Sequence, residues 1–179
     1  MAPAKAYRQL PAASRQRGLP SIGFEIVPGE LEVTPVPAGE MLLRCTEQHD
    51  GKPVGELEVT VFSAALVIDR DGILEAKASE NTGGAHAVPV VLPGASGYFA
   101  ETRGDAQLPY RYVFAIAPHD LAIDGGVLVT VRSARPDWPA AERVLQSLRI
   151  ITRHGIAPAN DVAADAAILP LVPPLERDE

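Results

Sequence analysis

Cysteine and histidine are few in this chain, one and four, and the spacing of its candidate nucleophiles, bases and metal ligands limits the chemistry open to it. Ser96 sits in GASG, 94–97, part of the G-x-S-x-G turn that lifts a serine hydroxyl above a hydrolase sheet. Tyr98 stands where that turn needs its second glycine, and no helical pattern follows, so Ser96 reads as a turn residue. Cys45 alternates with Met41 and Leu43 on one strand face and reads as a small buried apolar residue. Activating its thiol requires a neighbouring base, and His49 is only near in sequence.

The four histidines, His49, His86, His119 and His154, have none of the H-x-H or H-x-x-x-H spacings of a metal site. In DRDG, 69–72, the glycine falls at the fourth position of a would-be calcium loop, where such a loop needs it at the sixth. No metal and no cofactor is expected. TGG and DGG lack the Lys-Ser/Thr that completes a phosphate loop. Glu30/Glu32 and Glu56/Glu58 are spaced by two and read as solvated strand faces. One arrangement keeps an enzyme or small-ligand site open. His119-Asp120 at a strand end is placed as a proton-transfer pair would be. With His86 it outlines a site near loops 81–87 and 118–126, although polar side chains of loops facing water explain the same residues more simply.

Composition narrows the classes. The 179 residues carry a net charge of −7, which argues against nucleic acid as a partner. No apolar run approaches the roughly 20 residues of a membrane span, and residues 1–18 lack the apolar stretch of a secretory signal. A single cysteine rules out an internal disulfide and fits the cytoplasm. Lys5, Arg8, Arg15 and Arg17 make a basic segment without an acid, which leaves −11 on the rest of the chain. The organisation expected is a flexible basic arm, 1–20, one domain, 21–155, and an Ala/Pro-rich acidic tail, 156–179. Pro170, Pro173 and Pro174 bar regular structure through 170–174.

Within the domain the apolar pattern has period two, as in strands buried on one face. GELEVT occurs at 29–34 and again at 55–60, and reads as two similarly placed strands. HDGKPVG, 49–55, supplies reversal chemistry. In 62–80 the Asp71-Gly72 pair favours a hairpin, while Leu, Glu, Ala and Lys would also suit a short helix. VPVVLPG, 88–94, reads as an edge strand. GYFAETRG, YRYVFAIA and GVLVTVRSA follow as strands joined by short turns, an antiparallel meander. RPDWPAAERVLQSLRI, 135–150, reads as a helix. Asp137 is its cap, Pro139 lies in its first turn, and Trp138, Ala141, Leu145 and Leu148 form one apolar stripe. Arg149 and Gly155 suit its C-terminal end. The fold class predicted is α+β: an antiparallel meander packed by a C-terminal helix over about 136–151, with extended termini.

The order GYFAETRG, LPYRYVFAIAP, GVLVTVRSA and a helix ending in VLQSLRI resembles the C-terminal half of a PsbP/DcrB-like domain. That superfamily folds as an antiparallel sheet between helices, one of them following the first hairpin. The resemblance implies a non-enzymatic accessory role, as in photosystem accessory proteins, nuclear-transport cofactors and chaperones for secreted bacterial effectors. The chain is therefore expected to be a non-catalytic interaction module with a protein partner, an adaptor, chaperone or assembly component. Lys5, Arg8, Arg15, Arg17, Ile168, Leu169, Leu171 and Val172 are its candidate contact residues. A structural subunit of a larger, oligomeric assembly is the third reading.

Overall fold

The computed structural model describes the backbone of residues 4–8, 21–26, 31–33, 41–92, 95–119, 125–147, 149–151 and 168–170. Side chains are described within 31–33, 43–91, 95–119 and 125–146. In chain order the strands are β1 (Ala4–Arg8), β2 (Ser21–Ile26), β3 (Glu32–Val33), β4 (Met41–His49) and β5 (Lys52–Ser63). Helix α1 (Leu66–Glu80) follows, then β6 (Ala87–Leu92), β7 (Ala95–Arg103), β8 (Tyr110–Pro118) and β9 (Gly125–Ser133). Helix α2 (Pro139–Ser147), β10 (Arg149–Ile151) and β11 (Ile168–Pro170) complete the described elements. Seven strands form one antiparallel sheet in the order β3-β4-β5-β9-β8-β7-β6, and β1-β2-β10-β11 form a smaller one.

Alternation decides what each face of the large sheet buries. Leu57, Val59 and Val61 on β5, Val127, Val129 and Val131 on β9, and Tyr112 and Ile116 on β8 share one face with Leu43 and Cys45. That face packs against α2 through Trp138, Ala141, Val144 and Leu145. The two GELEVT copies flank β4, with Glu32 and Glu56 both paired to Thr46, and Val33 and Leu57 both paired to Cys45. Asp50 and Gly51 close the β4–β5 hairpin with positive φ values of 51° and 72°, the mirror-image turn that matches strand twist. The edge strand β6 contains Pro89, whose missing N–H is tolerated at an edge.

The opposite face is divided. Phe62, Ala87, Ala100, Ala115 and Ala117 receive α1 through Leu66, Leu74 and Ala78. Beyond the helix the face turns polar, with Arg44, Glu56, Glu58 and Arg132 on neighbouring strands.

Several expectations are corrected. Residues 66–80 are helical, and Asp71-Gly72 lies inside the helix instead of closing a hairpin. Asp69 breaks helical geometry (φ −155°, ψ 78°), and its carboxylate Oδ1 accepts the Gly72 N–H at 3.1 Å. The Asp-Gly signal is therefore an internal helix cap. A Cβ on residue 72 would overlap the Asp69 carboxylate, so the glycine makes room for that cap. The C-terminal helix is shorter than 136–151, because it ends at Ser147 and Arg149 pairs as a strand with Gly23 of β2. Leu148 and Gly155 lie outside the described residues. Within the termini, expected to be extended, 4–8 and 168–170 are strands of the small sheet.

Candidate functional site

A cleft opens on the α2 side of the sheet because that helix is too short to cover the strands beneath it. Nine helical residues span roughly 13 Å at 1.5 Å each, whereas β8 and β9, also nine residues each, run about 30 Å. Trp138 starts the helix. Its carbonyl accepts the first helical N–H, from Glu142, at 3.1 Å. Its indole lies on Gly55 of β5, where a Cβ would come within 2.5 Å of the ring. Indole Nε1 donates to Glu47 Oε2 at 2.6 Å, and Glu47 is the register partner of Gly55. One tryptophan thus docks on a glycine and is oriented by the carboxylate beside it.

Two further bonds hold the approach to the helix. Tyr112 Oη donates to the Pro136 carbonyl at 3.4 Å, and the buried Ser133 hydroxyl donates to the Arg135 carbonyl at 2.6 Å. The resulting cleft of about 230 Å³ has a floor of Tyr112, Phe114 and Val131. Its wall is Trp138, Ala141 and Leu145, and Asp137 and Glu142 stand at its rim. Phe114 is half-buried although its ring lies tilted by 50° against that of Phe99, centroids 4.9 Å apart. Neither rim carboxylate has an ion-pair partner among the described residues. Sequence reading placed Trp138 in the apolar stripe of a helix packed on the sheet and missed the cleft. The available signal was Tyr110, Tyr112 and Phe114 on one strand face, more aromatic surface than a nine-residue helix covers.

The polar half of the opposite face is an ion-pair ladder. Glu56 Oε1 receives Arg132 at 2.7 Å and Arg44 at 3.3 Å, Arg44 also meets Glu58 at 3.4 Å, and Arg132 approaches Asp105 at 3.8 Å. Burial pushes the Glu58 carboxyl above its ordinary range, and the hydrogen bond and charge of Glu56 add to this. Burial acts on Glu56 in the same direction. The Glu58 bond and the two arginines outweigh it and hold Glu56 below the ordinary range. Cys45 is fully buried, which raises its thiol pKa to about 12. It therefore stays protonated and unreactive.

The structure separates the two histidines of the sequence-derived site. His86 precedes β6, whose Ala87 pairs with Ala100 of β7. His119 follows β8, and its Nε2 lies 3.1 Å from Ser96 Oγ at the other end of β7. Ala100 and Ser96 are four residues of strand apart, roughly 13 Å. Asp120 lies outside the described residues, as do Arg15, Arg17, Leu171 and Val172. The backbones of Lys5 and Arg8 lie in β1, and those of Ile168 and Leu169 in β11. Ser96, read as a turn residue, is instead a strand residue bonded to His119 and to the Arg70 guanidinium. Among the described residues no three His, Cys, Asp or Glu side chains cluster as a metal site would need, and no helix is long and apolar enough to cross a membrane. No family model, curated protein or solved structure matches this chain.

Proposed function

We propose that this chain is a protein-interaction module of α+β class whose Trp138 cleft receives an apolar anchor side chain of a partner protein. The cleft itself carries the reading. Its volume of about 230 Å³ is below the roughly 300 Å³ at which pockets begin to hold drug-sized molecules. It suits one aromatic or aliphatic side chain in a desolvated pocket, the usual form of an interface anchor. Asp137 and Glu142 at the rim select a partner with Lys or Arg beside that anchor. The PsbP/DcrB-like resemblance of the C-terminal half implies an accessory, non-catalytic role, which agrees with this reading. A cytoplasmic setting fits that role.

Trp138 is the chain's single tryptophan, so its fluorescence reports occupancy directly. Short peptides selected by display against the full chain should be enriched in an aromatic residue next to Lys or Arg. Their titration should shift the Trp138 emission in a saturable way. Reversing both rim charges, D137K with E142K, should weaken binding about tenfold or more, the loss of one charged contact or more. Enriched peptides that leave the emission unchanged, or that bind the double reversal equally well, would exclude the cleft as the contact.

A further inference from the structure

At the far end of the strands, on the face opposite the Trp138 cleft, three polar side chains converge where the function proposed above has no use for them. Arg70, just after the α1 kink, donates from its guanidinium to the carbonyls of Pro118 (3.0 Å), Ser96 (3.2 Å) and Ala117. It also donates to Ser96 Oγ at 3.1 Å. Ser96 Oγ is in turn 3.1 Å from His119 Nε2. The guanidinium is half-buried and always charged. Among the described residues it has no ion-pair partner, and Asp71 acts on it only through space. Carbonyl dipoles fix its position but do not neutralise it.

A proton inventory shows what the cluster offers. Arg70 brings only donors. Because Ser96 Oγ accepts from Arg70, the hydroxyl proton is available to a second acceptor. His119 takes it through Nε2, or donates through Nε2 and leaves it for a ligand. His119 is exposed, so a ligand can reach both groups. The surroundings are apolar. Val91 is the register partner of Ser96 and is 79% exposed. Val67 and Ile68, three and two residues before Arg70, are 75% and 81% exposed. These three are most of the exposed large apolar side chains among the described residues, the fourth being Val88.

We propose that Arg70, Ser96 and His119 form a receiving site for a carboxylate carried on a short apolar group, with Val91 contacting the apolar part. The carboxylate supplies the charge that Arg70 lacks and accepts from the Ser96 hydroxyl, whose proton is left to it when His119 donates to Ser96 Oγ through Nε2, and the hydrocarbon covers valine surface otherwise left in water. Charge-assisted hydrogen bonds to an oxyanion are the strong kind, and a few methylenes withdrawn from water give the apolar arm its preference.

The test is a titration of the full chain followed by NMR of the imidazole resonances, with the His119 signal assigned by its loss in H119Q. The probes are sodium octanoate, sodium acetate and inorganic phosphate. Octanoate should shift the His119 signal to saturation with an affinity at least about tenfold above acetate and phosphate, as several buried methylenes require. V91S, which adds no charge, should reduce the preference for octanoate over acetate, and S96A should weaken both carboxylates. Tighter phosphate than octanoate binding would overturn the apolar carboxylate assignment. Non-saturating shifts in all three arms, or unchanged octanoate affinity in both S96A and H119Q, would overturn the site. Occupation of the Trp138 cleft is read by fluorescence and so fails or succeeds independently.

Discussion

The two helices cover opposite faces of one sheet by different means. Helix α2 is attached through a large aromatic anchor: Trp138 is 4% exposed, stacks on Gly55 and is oriented by Glu47. Helix α1 has no such anchor. It meets a face paved with Ala87, Ala100, Ala115 and Ala117, small enough to let it approach closely, and Arg70 ties its first turns to the strand ends. Its exit is closed by Asn81, whose Nδ2 donates to the Lys77 carbonyl at 2.7 Å, and by Thr82, whose hydroxyl donates to Ala78 at 2.9 Å. Gly83 and Gly84 then turn the chain at φ of 68° and 88°. In both helices a glycine makes room for the side chain that matters, Gly55 for the Trp138 ring and Gly72 for the Asp69 carboxylate. A large anchor leaves an apolar cleft beside it, whereas α1 seats closely on alanine and the groove at its flank, lined by Glu75, Ser79 and His86, is open and polar.

If attachment differs in this way, the largest loss should come from the anchor. W138A should lower unfolding free energy by about 3–5 kcal/mol in a urea titration, the usual cost of deleting a buried large aromatic. W138F should recover most of that while forfeiting the Glu47 bond. A loss below about 1 kcal/mol for W138A, well under the range for buried aromatics, would mean that α2 is held by its alanine and valine contacts alone, and the contrast between the helices would fail.

Gly55 sharpens the same point. G55A puts a methyl group into the indole and should cost about 1–3 kcal/mol, as overpacked cores do. In a W138A background the clash is gone, and replacing a strand glycine by alanine should be neutral or stabilising. The two substitutions should therefore be strongly non-additive in a double-mutant cycle. Additive costs would show that the glycine serves strand geometry and not the tryptophan.

How much of this was legible in the sequence follows from the same contrast. Helix α2 was readable because Trp138, Ala141 and Leu145 recur at helical spacing beside a proline fit for a first turn. Its end was misplaced because Arg149–Ile151 pair with β2, a tertiary contact with no local signal. Helix α1 was hidden by its weak stripe. Leu66, Leu74 and Ala78 face inward while Val67 and Ile68 face water, and Asp-Gly, the usual mark of a hairpin turn, is spent on an internal cap. The strands β5, β7, β8 and β9 were legible from alternation and turn residues. Pairing between distant strands was not, and it is this pairing that puts Ser96 beside His119 and leaves His86 at the other end.

The smallest effect tests the reading of that hidden helix. Asp69 accepts the Gly72 N–H at 3.1 Å and is exposed, so its contribution is that of a cap on a surface helix. D69A should cost about 1 kcal/mol, within the range measured for such caps, and D69S should restore most of it because a hydroxyl oxygen can accept the same bond. G72A should be worse than D69A in the native background, since its methyl group displaces the carboxylate, yet better tolerated once Asp69 is gone, where alanine improves helix propensity by up to about 1 kcal/mol. Thermal unfolding followed by circular dichroism separates these outcomes. If D69A were silent and G72A equally costly in both backgrounds, residue 72 would be a glycine for backbone reasons, and α1 would begin by another device than the one that links Asp69, its kink and the placement of Arg70.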